Sequence, residues 1–123
     1  MVNAQQTFRV KKYDPLVATS VLRLPQYIPT ATNSDTANVL WLDSVPPIGT
    51  LLTLWNDKAI IINYSISIGA IYGNLSAIIG ENEQKLFRQA LKTRQKTILT
   101  IWQVMVGESV SKTYWPYQVK FKE

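Results

Sequence analysis

Hydrophobic and polar positions alternate most clearly between Lys58 and Glu81, a stretch that holds no charged residue. Its even positions run Ile60, Ile62, Tyr64, Ile66, Ile68, Ala70 and Tyr72, while Asn63, Ser65, Ser67 and Gly69 occupy the odd ones. Period two with one broad apolar side is the signature of a half-buried strand. The pattern predicts a long strand over 59–71 that ends at Gly73-Asn74, with its isoleucines toward a core. The small polar side is expected to meet something close and uncharged. Exposed strands usually carry charge that blocks edge pairing, and this one carries none. Either the fold or another chain is expected to cover it.

The flanking segments are shorter and more interrupted. Thr7 to Lys12 reads as a short strand, stopped by Asp14-Pro15 because proline cannot donate to a ladder. Leu16 to Leu24 alternates with apolar residues on both sides, the pattern of an arm laid across another surface or of a strand buried on two faces. Pro25 to Asn38 reads as a loop of roughly a dozen residues, a length that is often functional or interfacial. Val39–Asp43 and Leu51–Trp55 are predicted strands around the 44–49 turn. The Asn56-Asp57-Lys58 turn then makes 50–55 and 59–71 a hairpin candidate.

After Gly80 the period changes. Leu86, Phe87, Ala90 and Leu91 form a helical stripe. Glu81 and Glu83 stand at its start and Lys92, Arg94 and Lys96 at its end, the order the helix dipole favours. Ile98, Ile101, Trp102 and Met105 could prolong that stripe. However, six of the ten residues over 97–106 are β-branched, which predicts a strand. Gly107–Lys112 reads as a turn, and Thr113–Lys122 as the partner strand, placed at an edge by Pro116.

Strands, one helix and a closing hairpin predict an α+β domain, mainly antiparallel β as a small barrel or sandwich-like sheet. It carries one amphipathic helix at about 81–93 and an extended N-terminal arm. The chain of 123 residues fits a single domain, with 1–35 as arm plus long loop and 37–123 as the compact body. Hydrophobic residues make up 46%, enough for a core without staples.

Composition narrows the chemistry. There is no Cys and no His, which removes disulfides, zinc-thiolate sites, imidazole ligands and His-dependent triads. The opening residues carry no basic stretch leading into an apolar run, so no secretory signal is read there. The charge-free stretch 59–80 is long enough to raise the membrane question, but its Asn, Ser and Gly residues suit a strand and not a spanning helix. The net charge of +5 is unevenly spread, at +3 over 1–12, −4 over 13–83 and +6 over 84–123. Such asymmetry fits a polyanion-binding face, or a basic end that meets the acidic middle of a neighbour.

The carboxylates are scattered, with no Asp-x-Asp-x-Asp loop and no spacing that proposes a catalytic pair, so no metal or enzyme is expected. The five glycines are dispersed and form no phosphate loop, so no cofactor is expected. On a helix, Lys85, Arg88, Lys92 and Lys96 would line one face, a candidate nucleic-acid surface helped by Lys120, Lys122 and the aromatics at 114–117. The plainer reading of that run is a solvated face. For protein partners the candidates are Tyr27 and Ile28 in the long loop, with Trp115 and Tyr117 beside Pro116.

The expectation from these readings is a non-enzymatic structural or interaction protein. It would work as a subunit of a larger multi-chain assembly or homo-oligomer, of the kind found in phage or virus particles as head-decoration, neck or baseplate components. A small nucleic-acid-binding module is the alternative, and a ligand barrel lined by the isoleucine face a third.

Overall fold

The computed structural model describes residues 20–29 and 37–122. Among these residues seven strands and one helix follow in order: β1 (Ser20–Arg23), β2 (Val39–Leu42), β3 (Thr50–Thr53), β4 (Ala59–Ile68), β5 (Ala70–Tyr72), α1 (Glu81–Thr93), β6 (Thr97–Val106) and β7 (Ser109–Phe121). The α+β class, dominated by sheet with one helix among the described residues, is the one the alternation predicts. Five strands form a mixed sheet in the order β2-β7-β6-β4-β5, and β1 pairs in parallel with β3 as a separate two-stranded sheet. Within the larger sheet the β2–β7 pair is parallel and the others are antiparallel.

One face of the five-stranded sheet is the core. Ile61, Tyr64, Ile66 and Ile68 of β4 meet Leu99, Ile101 and Val104 of β6, Tyr117 and Val119 of β7, and Leu40 and Leu42 of β2. The cover comes from Leu86, Phe87 and Ala90 of α1, from Leu52 and Leu54 in and after β3, and from Leu24, Tyr27, Ala77 and Ile79. The isoleucine face is therefore packed by the chain's own helix and second sheet. Ser20 to Pro29, expected as part of an arm and loop, contribute Leu24 and Tyr27 to this core, while 1–19 and 30–36 lie outside the described residues.

The helix forms where its stripe predicts. Gly80 precedes it, and Glu83 reaches back so that Oε1 accepts the Gly80 N–H at 2.9 Å and Oε2 accepts the Ser76 N–H at 3.1 Å. A carboxylate so placed satisfies donors that the first turn leaves open and favours the positive end of the helix. Tyr64 extends the knot by donating its hydroxyl to the Ser76 carbonyl at 2.9 Å. Burial drives the Tyr64 pKa well above the ordinary phenol range, and the Glu83 carboxylate pushes the same way. At the other end Arg94 takes a left-handed conformation (φ 56°) and its N–H closes on the Ala90 carbonyl.

Four expectations are corrected. Residues 50–55 do not form a hairpin with 59–71, because β3 pairs with β1 and bridges to Ile78 instead. The long strand does not run to 71, because the chain reverses at Gly69 (φ +76°) and β5 pairs back on β4. Nor does one parity hold along β4. Ile62 is an extra residue against β6, and Trp102 is an extra residue on β6, so the two irregularities cancel in register. Before them odd-numbered Ile61 faces the core and Ile60 is exposed; after them the even positions face inward. Finally, β7 begins at Ser109 and lies between β6 and β2. Pro116 nonetheless sits where β7 has one neighbour, since β2 reaches only Gln118 to Phe121, and a missing N–H is tolerated there. The strand reading of 97–106 holds as stated. Among the described residues no helix is long and apolar enough to cross a membrane.

Candidate functional site

The proposed partner residues gather in one place, but mostly inward. Tyr27 stacks on Trp115 with ring centroids 6.2 Å apart and meets Tyr117 edge-on at 5.5 Å, while Trp55 adds a tilted contact to Trp115 at 5.1 Å. Such pairs contribute about 0.5–1.5 kcal/mol each beyond the area they bury. Tyr117 is fully buried and donates its hydroxyl to the Pro25 carbonyl at 2.8 Å. Burial, and secondarily Tyr27, raises its pKa well above the usual phenol value. The cluster thus fastens Leu24–Ile28 onto β7, with Trp115 half-buried at its rim. Ile28 differs. Asn38, itself left-handed (φ 57°), accepts the Ile28 N–H and donates to the Ile28 carbonyl, both at 2.8 Å. That clamp holds the backbone while the Ile28 side chain stays exposed.

On the opposite side of the five-stranded sheet lies an uncharged face. Ile71 of β5 pairs with Ser67 of β4, which pairs in turn with Ile98 of β6; Ser65 pairs with Thr100, and Thr100 with Pro116 of β7. Paired residues share a face, so these side chains form one continuous surface. Trp102 lies across it and donates its indole N–H to the Ser65 hydroxyl at 2.8 Å, and Tyr114 packs on Trp102 at 5.5 Å. The small polar side of β4 therefore meets, in part, the chain's own indole. Trp102 is exposed here because it is the extra residue of β6. Opposite it the Thr113 hydroxyl donates to the Ile101 carbonyl at 2.6 Å, filling a gap where the β6–β7 ladder slips by one.

This face runs to an open edge. Among the described residues β5 has β4 as its only neighbour, all three of its residues are exposed, and Ile71 is 76% exposed. Ala70, Ile71 and Tyr72 carry neither charge nor proline, the usual blocks to edge pairing. Alternation predicted an uncharged strand but could not show that its end turns back to become the edge.

The basic residues separate into two groups. Lys85, Arg88 and Lys92 line an exposed face of α1. Lys96 does not continue that line, because the helix ends at Thr93 and Arg94 turns the chain. It lies instead in a groove of about 410 Å³ between the helix end and the β2–β7 pair, lined also by Arg94, Lys120, Lys122, Gln118 and Trp41. Lys120 stands over the Trp41 ring, 5.6 Å from its centroid, and Lys122 pairs with Asp43 at 3.2 Å. Trp41 and Lys120 occupy one register position of the parallel pair, which is why they meet. A second cleft, of about 320 Å³, separates β1 and β3 from the start of β4 and is lined mainly by Val21, Leu51, Ile60 and Ile61.

Comparison with protein-family models, with curated proteins and with solved structures finds no match to this chain.

Proposed function

We propose that this chain is a non-enzymatic interaction protein, a subunit of a multi-chain assembly of which a virus or phage particle is one kind. The observation that carries the reading is the exposed, uncharged edge strand β5, continuous with a face that ends in the Trp102–Tyr114 pair. A free edge of this kind takes up a strand from another chain: backbone hydrogen bonds supply affinity, and side chains on the adjoining face supply selectivity. Aromatic residues are the usual anchors of such contacts. The carboxylates support a non-catalytic role through their partners. Glu83 caps α1, Asp57 pairs with Arg23, and Asp43 pairs with Lys122. Ile28, clamped and exposed, is a further contact point.

The test is light scattering with chemical cross-linking on the full chain across a wide concentration range. The expected result is a defined higher-order species that Ile71→Lys converts to a folded monomer, its melting temperature no longer dependent on protein concentration. A monodisperse monomer at high concentration, with no partner recovered by cross-linking, would overturn the proposal.

A further inference from the structure

We infer that the groove at the C-terminal end of α1 binds single-stranded nucleic acid, with one base stacked on Trp41 and the flanking phosphates held by Lys96 and Lys120. This goes beyond the assembly reading and uses the opposite end of the sheet from β5. Three observations converge on it. First, the groove is a real concavity, and cationic side chains from two distant parts of the chain, at 94–96 and 120–122, line it together. Second, among the described residues no carboxylate lines the groove, and Asp43 beside it is engaged by Lys122, so Lys96 and Lys120 face the groove without an opposing charge in its lining. Third, Trp41 is half exposed although it lies in a strand whose other three residues are buried. Its ring already holds a cation over it, so a planar base can take that place while Lys120 swings to a phosphate. An aromatic platform beside tracking cations is how bases are held irrespective of sequence.

Strand number follows from size. A groove of about 410 Å³ admits one unstacked base with its phosphate, and a paired, stacked base is not free to enter. The basic face of α1 plays a different part, since Lys85, Arg88 and Lys92 meet no aromatic ring among the described residues and contribute long-range attraction.

The experiment is fluorescence anisotropy of a labelled oligothymidylate with the full chain, titrated at several salt concentrations. Binding is expected at low salt, weakening as salt rises. Trp41→Ala is expected to weaken it about tenfold or more, with Trp41→Phe recovering most of the loss. Lys96→Ala with Lys120→Ala is expected to flatten the salt dependence by about 1.4 in log–log slope, near 0.7 per phosphate contact. Lys85→Ala, Arg88→Ala and Lys92→Ala together are expected to change affinity by less than about threefold near 0.1 M salt, where screening limits distant charges. If Trp41→Ala fails to fold, the lysine pair still carries the test. Absence of binding at low salt overturns the inference. So does binding that heparin matches and Trp41→Ala leaves alone, which would be charge attraction only. Thymidine monophosphate binding as tightly as the oligomer would also overturn it, pointing to a free-nucleotide site.

Discussion

Replacing Glu83 by alanine tests whether α1 is started by its own carboxylate. The two oxygens accept two backbone N–H groups, from Gly80 and Ser76, and the residue is 8% exposed, so water replaces them poorly. A hydrogen bond to a charged acceptor contributes about 1.5–3 kcal/mol. A carboxylate in the first turn adds about 0.3–1 kcal/mol through the dipole. Ser76 is exposed, so its freed amide recovers part of the loss from solvent. The expected cost of Glu83→Ala is therefore about 3 kcal/mol. Glu83→Gln keeps the volume and one acceptor oxygen, and is expected to cost about half as much. For a domain of this size 1 kcal/mol corresponds to roughly 4 °C, so the melting temperature should fall by about 12 °C and about 6 °C respectively. Thermal melts followed by near-UV circular dichroism, with urea titrations for the free energy, measure both. A Glu83→Ala variant within about 1 kcal/mol of the parent would refute the reasoning, and a Glu83→Gln variant as damaged as the alanine one would show that charge, not acceptor count, is what matters.

Two further outcomes follow from buried polar groups. The Thr53 hydroxyl is buried without a hydrogen-bond partner among the described residues, so Thr53→Val, which keeps the shape and suits a strand, should stabilise the chain by about 1 kcal/mol in urea titration; a loss of stability would show that the hydroxyl is satisfied in solution. Tyr64 and Tyr117 are harder to ionise in the folded chain than in the unfolded one, so their contribution is complete below the unfolded phenol pKa of about 10 and is lost as pH rises above it. Alkaline titration should show tyrosinate absorbance rising together with unfolding, and free titration of all tyrosines in a still-folded chain would contradict their burial.

The parts of this fold legible in the sequence are those with a local cause. The stripe of Leu86, Phe87 and Ala90 and the acidic start at 81–83 mark α1, and β-branched density marks β6. The β1–β3 pairing has no such cause. It joins Ser20 to Thr50 across a long stretch of chain, while the turn chemistry at 56–58, just after β3, pointed to β4 as the nearer partner. The run Ile60-Ile61-Ile62 is degenerate in which residue faces the core, so the broken parity of β4 is decided by its neighbour strand and cannot be read from the run itself. Among candidate residues, Tyr27, Trp115 and Tyr117 read from the sequence as separate outward contacts for a partner, yet topology turns them inward on one another, while Ile28 stays outside. Trp102 and Trp41 gave no sequence signal of exposure, since each sits in a strand of apolar neighbours. Their exposure comes from an extra residue in one case and from the strand's outer parity in the other.

The cancelled irregularities of β4 and β6 set a rule for insertions and deletions in this protein. Ile61 and Tyr64 both face inward and are three residues apart, as are Ile101 and Val104. Losing Ile62 alone would leave the two strands out of step by one residue on one side of the lesion, which reverses the face of every side chain beyond it. Losing Trp102 alone would do the same from the other strand. Losing both would put β4 and β6 back in step, but it would widen the slip that β6 already makes against Thr113 and Tyr114 of β7 and remove the indole that covers Ser65 and anchors the uncharged face. The two codons are thus linked through the sheet: dropping either one alone puts β4 and β6 out of step, and dropping the pair keeps those two strands in step only by adding a further residue of slip against β7.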